Sequence, residues 1–181
     1  MFAPSRQSGF TLIELMIVVF IIGLGASAAF LAVAPDRRNL LQEQTEHFVT
    51  AARFVADEAP LTYEIIGLFV EPGQSMQGNR WCYRWRRWRD SSWQPVSTFL
   101  PDQCLDADTD IEMIIEGEVY EYDERDTTPR PALWFYPSGE TTPLEIAFFN
   151  RFDSNEIERV SVDMMGEIIW QEQSDDLEVR W

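Results

Sequence analysis

The sequence predicts an α+β fold in which a long, kinked N-terminal helix packs on an antiparallel, β-sandwich-like head. Three observations lead to this prediction. Residues 10–34 are apolar and include one ionisable side chain, that of Glu14. In residues 41–59 apolar side chains recur every three or four positions, as on one face of a helix. Beyond Leu61 the apolar spacing approaches two, which is typical of strands buried on one face.

The apolar run at residues 10–34 is long enough to cross a membrane. Its 25 residues would span roughly 37 Å as a helix, and the hydrocarbon core of a bilayer is about 30 Å thick. We therefore predict a transmembrane helix. A carboxylate such as Glu14 within a membrane costs on the order of 2.5 to 3.5 kcal/mol and usually has a partner. The alternative is that Glu14 lies close to the membrane surface and needs none.

The residues around Glu14 resemble the class III signal of type IV pilins and type II secretion pseudopilins. A short polar leader ends in Gly9, and Phe10-Thr11-Leu12-Ile13-Glu14 begins the apolar helix. The resemblance implies that prepilin peptidase removes the leader, residues 1–9, and that the new terminal Phe10 is methylated. It implies that Glu14 pairs with this amine during subunit assembly. It also implies a single pass through the lipid of the bacterial inner membrane, with the head in the periplasm.

Residues 35–59 are predicted to continue the helix as an amphipathic segment. Pro35 should kink the helix or mark the membrane exit, because its ring removes an intrahelical hydrogen bond. The helix should end at Ala59-Pro60. The face expected to be buried is formed by Leu41, Thr45, Phe48, Ala52, Val55 and Ala59.

Residues 60–181 are predicted to form one β-rich head. The predicted strands are residues 62–70, 80–88, 111–115, 119–122, 132–136, 144–149, 157–162 and 167–170. Gly67 is a candidate bulge, and Gly117 a break between strands. Turns are predicted at Pro72-Gly73, Gly78-Asn79 and Met164-Met165-Gly166, and a hairpin around Pro137-Ser138-Gly139. This many short strands with regular turns favours one core of the sandwich type.

The charge and the cysteines limit the function. The net charge is −17, all 14 basic residues are arginine, and Arg6 and Glu14 cancel, so the excess charge lies beyond the apolar run. An acidic head disfavours general nucleic-acid binding. Cys82 and Cys104 fit an oxidising compartment and are a candidate disulfide, with a pair of reduced thiols as the alternative.

Residues 80–89 interleave five arginines with three tryptophans. We favour a strand whose Trp81, Tyr83 and Trp85 face one way and whose arginines pair with carboxylates of the head. A second interpretation is a subunit contact through Arg84, Arg86, Arg87, Trp85 and Trp88. The third is binding of single-stranded nucleic acid, since arginines grip phosphates and aromatic rings stack on bases.

No motif predicts catalysis or a cofactor. Asp106, Asp108 and Asp110 have the spacing of a calcium loop, but Ile111 and Gly117 stand where an EF-hand needs glycine and glutamate. A solvated acidic loop is favoured over an irregular calcium site, and no metal is predicted. His47, the single histidine, is interpreted as a surface or packing residue. Phosphate loops, dinucleotide fingerprints and zinc spacings are absent from the sequence, so we expect no enzyme.

Residues 134–143, Trp-Phe-Tyr-Pro-Ser-Gly-Glu-Thr-Thr-Pro, and the following Leu144-Glu145-Ile146 are similar to a late hairpin of GspH-type minor pseudopilins and related FimT/FimU-type minor pilins. The resemblance implies a structural subunit near the tip of a type II secretion pseudopilus, serving protein export across the outer membrane. Its partners would be other minor and major pseudopilins and secreted substrates. The alternative is a FimT/FimU-type pilin that binds DNA through residues 80–89, against which the charge of −17 counts.

Overall fold

A computed structural model describes residues 12–32, 37–75, 78–123, 125–126 and 130–171. The chain divides into two compact units, Met1–Asp36 and Arg37–Trp181. The first contains helix α1 (Leu12–Ala32) and the second contains helix α2 (Arg37–Thr62) and the strands. The predicted leader and the predicted kink at Pro35 lie outside the described residues.

Helix α1 is apolar on every side. Its large apolar side chains between Leu12 and Ile22 are 44% to 79% exposed, so none of them is buried. Taken over the described residues, no helix combines the length and the apolar character needed to cross a membrane.

Helix α2 has the amphipathic face that the sequence predicts. The six residues expected to be buried are each no more than 3% exposed. The predicted end at Ala59-Pro60 is wrong, because the helix continues through Pro60 to Thr62. Tyr63 then ends it in the left-handed region at φ 58°. The Glu64 N–H donates to the Ala59 carbonyl at 3.3 Å, as at many helix C-termini, so the last turn remains satisfied.

Ten strands of the described residues form two antiparallel sheets. The strands of the first sheet are β1 (Ile65–Ser75), β2 (Gly78–Arg89), β3 (Ser92–Pro95), β4 (Gln103–Cys104) and β7 (Leu133–Phe135). Those of the second are β5 (Thr109–Ile115), β6 (Glu118–Val119), β8 (Leu144–Asn150), β9 (Asp153–Val162) and β10 (Ile168–Trp170). The first sheet has the order β3-β2-β1-β7, with β4 paired to β2. The second has the order β10-β9-β8-β5-β6.

One core joins α2 to both sheets. Phe48, fully buried, has its ring centroid 5.4 Å from that of Tyr83 and 6.0 Å from that of Trp85 in the first sheet. It also lies 5.4 Å from Phe148 in the second. The α+β prediction is therefore confirmed, with the helix contacting strands of both sheets rather than covering one face of a closed sandwich.

Two glycine predictions are wrong for the same physical reason. Pro72-Gly73 is not a turn but lies inside β1, where Gly73 pairs with Arg80 and a side chain would overlap the Cys82 sulphur. Gly67 is not a bulge, because it pairs regularly with Arg86 and Trp134. A Cβ atom there would lie 2.6 Å from Cγ of Pro131. Both glycines permit a close approach of neighbouring groups.

Other strand predictions need smaller corrections. Gly78-Asn79 belongs to β2 rather than to a turn. The predicted strand 119–122 is reduced to β6, while the break at Gly117 is confirmed by its φ of 86°. Residues 137–139 form a turn closed by an antiparallel bridge between Phe135 and Thr141, which confirms a short hairpin. Its arms do not continue as a pair, because β7 and β8 belong to different sheets. Strands β3 and β4 were not predicted because each is too short to show a period.

Candidate functional site

Glu14 is the one predicted processing or assembly residue that the structure describes; Gly9 and Phe10 lie outside it. Glu14 is in the first turn of α1, where the positive end of the helix dipole favours a carboxylate. Its neighbours Ile13, Leu15 and Met16 are apolar and exposed. The helix therefore presents a single acidic group near the N-terminal end of an otherwise apolar surface.

One face of β2 is buried, as the alternation of residues 80–89 predicts. Tyr83 and Trp85 point into the core against Phe48. The indole N–H of Trp81 donates to Asp110 Oδ1 at 2.6 Å. Trp85 is only 1% exposed, so its assignment as a candidate subunit contact is wrong: the alternation that buries Tyr83 buries it too.

Four of the five arginines of β2 pair with carboxylates of the same head. Arg86 binds Asp102 at 2.7 Å, and Arg84 binds Glu71. Arg87 and Arg89 both bind Glu64. These ion pairs confirm the favoured interpretation of the segment. The hydrogen bond from Arg86, followed by its charge and that of Arg84, outweighs burial and lowers the pKa of Asp102.

An aromatic row crosses the outer face of the first sheet. It consists of Trp88, Trp93, Trp134 and Tyr136, whose successive ring centroids are 5.2, 5.5 and 6.3 Å apart. Trp93, on the edge strand β3, lies over Gly67, where no side chain stands in its way, and its ring also contacts that of Phe69. Trp88 remains 43% exposed, so it is still available as a contact residue.

Cys82 and Cys104 are bonded in the structure. They face each other across β2 and β4, with a sequence separation of 22. Strand β4 has only two residues, and its backbone pairs with Cys82 and Tyr83 alone. The bond therefore attaches the segment before β5 to the centre of the first sheet.

The acidic side chains of residues 102–110 form hydrogen bonds and ion pairs within the head. Asp102 pairs with Arg86, and Asp106 Oδ1 accepts a hydrogen bond from the Asp108 N–H at 3.1 Å. Asp110 accepts from Trp81 and, through Oδ2, from Arg151 at 3.1 Å. Among the described residues, no group of three or more histidine, cysteine or acidic side chains could hold a metal ion.

His47 lies at a cleft of about 180 Å³ between α2 and the segment around Leu105. Its Nδ1 atom is 3.4 Å from the Tyr83 hydroxyl. Burial raises the pKa of Tyr83 well above its usual range, so this hydroxyl stays neutral at physiological pH. The cysteine that lines the cleft, Cys104, is oxidised, so it offers no thiol nucleophile to His47.

Two family models match this chain. The prokaryotic N-terminal methylation motif covers residues 4–30, and type II transport protein GspH covers residues 44–166. The second match includes α2 from residue 44 onward and the strands β1 to β9.

The chain belongs to the GspH family.

Curated relatives of this GspH-family chain are named type II secretion system protein H. Type II secretion system protein H of Pectobacterium carotovorum subsp. carotovorum is 24% identical over 163 residues, covering 78% of this chain and 80% of the relative. The protein H of Dickeya chrysanthemi is 24% identical over 183 residues, covering 90% and 94%. That of Aeromonas hydrophila is 24% identical over 180 residues, covering 90% and 92%.

Solved structures show the same fold as this GspH-family chain. Two structures of the minor pseudopilin EpsH from the type II secretion system of Vibrio cholerae match with TM-scores of 0.58 and 0.61. Their sequence identities are 18% and 16%, and the matches cover 72% and 75% of this chain. They cover 94% and 97% of the EpsH chains. The likeness supports the pilin-like arrangement of a helix and two antiparallel sheets.

Sequence reasoning missed one feature of this GspH-family head, which we call the edge groove. It is a groove of about 550 Å³ between β6, at the edge of the second sheet, and β7, at the edge of the first. Its lining includes Glu116, Glu118, Val119, Tyr120, Glu121, Arg130, Trp134 and Tyr136. The three glutamates form a visible acidic run, but only the tertiary structure brings them beside the aromatic residues of β7.

Proposed function

We propose that this GspH-family chain is a minor pseudopilin, a structural subunit near the tip of the type II secretion pseudopilus that takes part in protein export across the outer membrane. One observation carries the proposal: a methylation motif at residues 4–30 precedes a GspH match that spans residues 44–166. The first part suits processing and anchoring of the subunit. The second suits a head that contacts other minor and major pseudopilins.

Anchoring is assigned to residues 10–34, as a single pass through the bacterial inner membrane with the head in the periplasm. The support is the apolar character of α1, whose large side chains between Leu12 and Ile22 would all be costly to expose to water. Prepilin peptidase removes residues 1–9 after Gly9, and Phe10 becomes the methylated N-terminus. Residues 35–59 then continue into the head, residues 60–181.

Glu14 acts in assembly by pairing with the Phe10 amine of a neighbouring subunit. A carboxylate among apolar side chains is stabilised when a cation lies within a few ångströms, and the processed N-terminus supplies one. The same pair draws a new subunit into register with the filament, because a misplaced helix leaves both charges without a partner in an apolar environment.

The head contributes a rigid surface rather than catalysis. Its core shares α2 with both sheets, and the Cys82–Cys104 bond, formed after export, restrains β4. The ion pairs of β2 favour this assembly role over DNA binding. A phosphate would have to displace carboxylates that already neutralise Arg84, Arg86, Arg87 and Arg89.

The test is purification of the tagged full-length chain from membranes of its own bacterium, followed by identification of co-purified proteins. We expect other pseudopilins to co-purify, and deletion of the gene should trap secreted proteins in the periplasm. Co-purification with pilus subunits, together with normal secretion and impaired DNA uptake in the deletion strain, would overturn the proposal. A triple Arg84→Ala/Arg86→Ala/Arg87→Ala variant that abolishes DNA binding by the purified chain would favour the pilin alternative directly.

A further inference from the structure

The edge groove lies where two sheets end beside each other. Strand β6 has no further strand on its outer side among the described residues, and β7 faces it from the other sheet. The walls are apolar and aromatic, with Ile115 and Val119 on one side and Ala132, Trp134 and Tyr136 on the other. Val119 is 61% exposed and Tyr136 is 38% exposed, so the groove is open to a partner.

Backbone hydrogen-bonding groups face the groove from β6. The Tyr120 N–H donates to the Met113 carbonyl at 2.8 Å, so residue 120 turns its backbone toward β5. Successive residues in an antiparallel pair turn their backbone groups alternately toward and away from the partner strand. The N–H and C=O of Val119 therefore point to the outer side. On β7, the Trp134 carbonyl is already taken by the Thr142 N–H at 3.1 Å, so β6 offers the more open edge.

The rim of the groove carries excess negative charge. Glu116, Glu118 and Glu121 are exposed, and none of them forms an ion pair with a described residue. Arg130 is the single basic side chain in the lining. On β2, by contrast, the carboxylates that face arginines are already paired. The charge at the edge groove is therefore available to a partner.

The aromatic wall suits the same kind of partner. The Trp134 and Tyr136 rings are stacked, with centroids 6.3 Å apart and planes at 9°. Guanidinium and ammonium groups are attracted to such faces. Burial, and then the neighbouring Tyr122 and Asp126, raise the pKa of Tyr120, so its hydroxyl remains a neutral donor beside the carboxylates.

We propose that the edge groove binds an extended segment of a partner protein that carries arginine or lysine side chains, added as a strand along β6. The backbone of Val119 supplies strand pairing, the glutamates supply charge complementarity, and the aromatic wall holds the basic side chains. The proposal concerns the head, and it would stand if the chain served a filament other than a secretion pseudopilus.

The test uses the full-length chain in neutral detergent micelles and a fluorescein-labelled Arg-Val-Arg-Val-Arg-Val peptide, titrated by fluorescence anisotropy. We expect saturable binding that weakens about tenfold in the Glu116→Gln/Glu118→Gln/Glu121→Gln variant. Raising the salt from about 0.05 to about 0.5 M should also weaken it, because salt screens exposed charges. A Glu-Val-Glu-Val-Glu-Val peptide should not bind.

A matched control separates the groove from the overall charge. The Glu43→Gln/Glu46→Gln/Asp57→Asn variant makes the same charge change on the exposed side of α2, and it should alter the affinity by less than about twofold. Equal weakening in both triple variants would mean a non-specific attraction to an acidic protein and would overturn the proposal. Absence of saturable binding to the wild type would overturn it too.

Two single variants test the strand pairing and the aromatic wall. Val119→Pro removes the outward N–H without removing a hydrogen bond to β5. It should weaken peptide binding about tenfold, while the melting temperature of the variant stays near that of the wild type. Tyr136→Ala should weaken peptide binding about threefold. The wild-type chain could instead self-associate, with the Val119→Pro variant losing that self-association but keeping its affinity for the peptide. In that case the occupant of the groove is a second copy of the chain and the proposal is wrong.

Discussion

Asp110 accepts a hydrogen bond from the Trp81 indole at 2.6 Å and so ties β2 of the first sheet to β5 of the second. Apart from this bond the two sheets meet largely through apolar side chains of the shared core. Asp110 also receives Arg151 Nε at 3.1 Å. A residue that looked like part of a calcium loop is thus a tie between the two sheets.

Asp110→Ala should destabilise the head by about 1 to 3 kcal/mol, because the partly buried Trp81 N–H loses its acceptor. Urea unfolding followed by tryptophan fluorescence measures the change. The same substitution in a Trp81→Phe background should cost less, since that background has no donor to leave unpaired. Equal costs in the two backgrounds would show that the hydrogen bond contributes nothing.

The Asp102–Arg86 ion pair should make a small, pH-dependent contribution to stability. The pKa of Asp102 is lowered in the folded head, chiefly by the hydrogen bond from Arg86. Its stabilisation is therefore fully present above the unfolded value of about 3.9 and is lost as the pH falls through the lowered folded value. The Asp102 side chain is half exposed, so solvent screening limits the contribution of the pair to about 1 kcal/mol at most.

The measurement compares the wild type with Asp102→Asn by urea unfolding at several pH values. The wild type should be the more stable of the two near pH 6, and the difference should shrink as the pH falls below the unfolded value of about 3.9 and through the lowered folded value. A difference that stays constant across this range would assign the effect to packing rather than to ionisation.

The disulfide should stabilise the head by about 3 kcal/mol in the chain-entropy model, since it closes a loop of moderate length in the unfolded chain. Thiol alkylation of native material without reductant should label neither Cys82 nor Cys104. The Cys82→Ser/Cys104→Ser variant should unfold at a lower urea concentration. Two labelled cysteines in periplasmic material would show that the bond does not form in the cell.

Processing should begin the mature chain at Phe10 with a methylated amine. Intact-mass analysis of the assembled protein tests this expectation directly. Gly9→Leu should block cleavage, because a branched side chain must enter a peptidase site that accepts glycine. Assembled protein that retains residues 1–9 would contradict the assignment of the leader.

Glu14→Leu should separate assembly from processing. The variant helix is more apolar and should still enter the membrane, and cleavage after Gly9 should continue. Incorporation should fall at least about a hundredfold, since breaking a buried ion pair costs roughly 3 to 5 kcal/mol. Co-purification with partner pseudopilins, together with the processed mass, measures both steps. Wild-type levels of co-assembly would show that Glu14 is not an assembly contact.

The sequence by itself determined the features that depend on local spacing. The period of three or four residues predicted six of the eight buried positions on α2 from Leu41 to Ala59, because one helix face must enter a core. Val49 and Ala51 are also buried and were not predicted. The alternation in residues 80–89 predicted that Tyr83 and Trp85 share one face of β2, and both are buried there. The residues from Gly9 to Glu14 carried the resemblance to the family whose methylation motif matches residues 4–30.

Only the tertiary structure decided how distant segments meet. Gly73 was expected in a turn and Gly67 in a bulge, since these are the usual local roles of glycine near strands. Their place is instead set by the Cys82 sulphur and the Pro131 ring, which need space that no local pattern reveals. The segment around the turn at residues 137–139 likewise connects two sheets. Strand β7 pairs with β1, and β8 pairs with β5 and β9, so both arms are held by strands distant in sequence. The edge groove exists only because those two sheet edges come together.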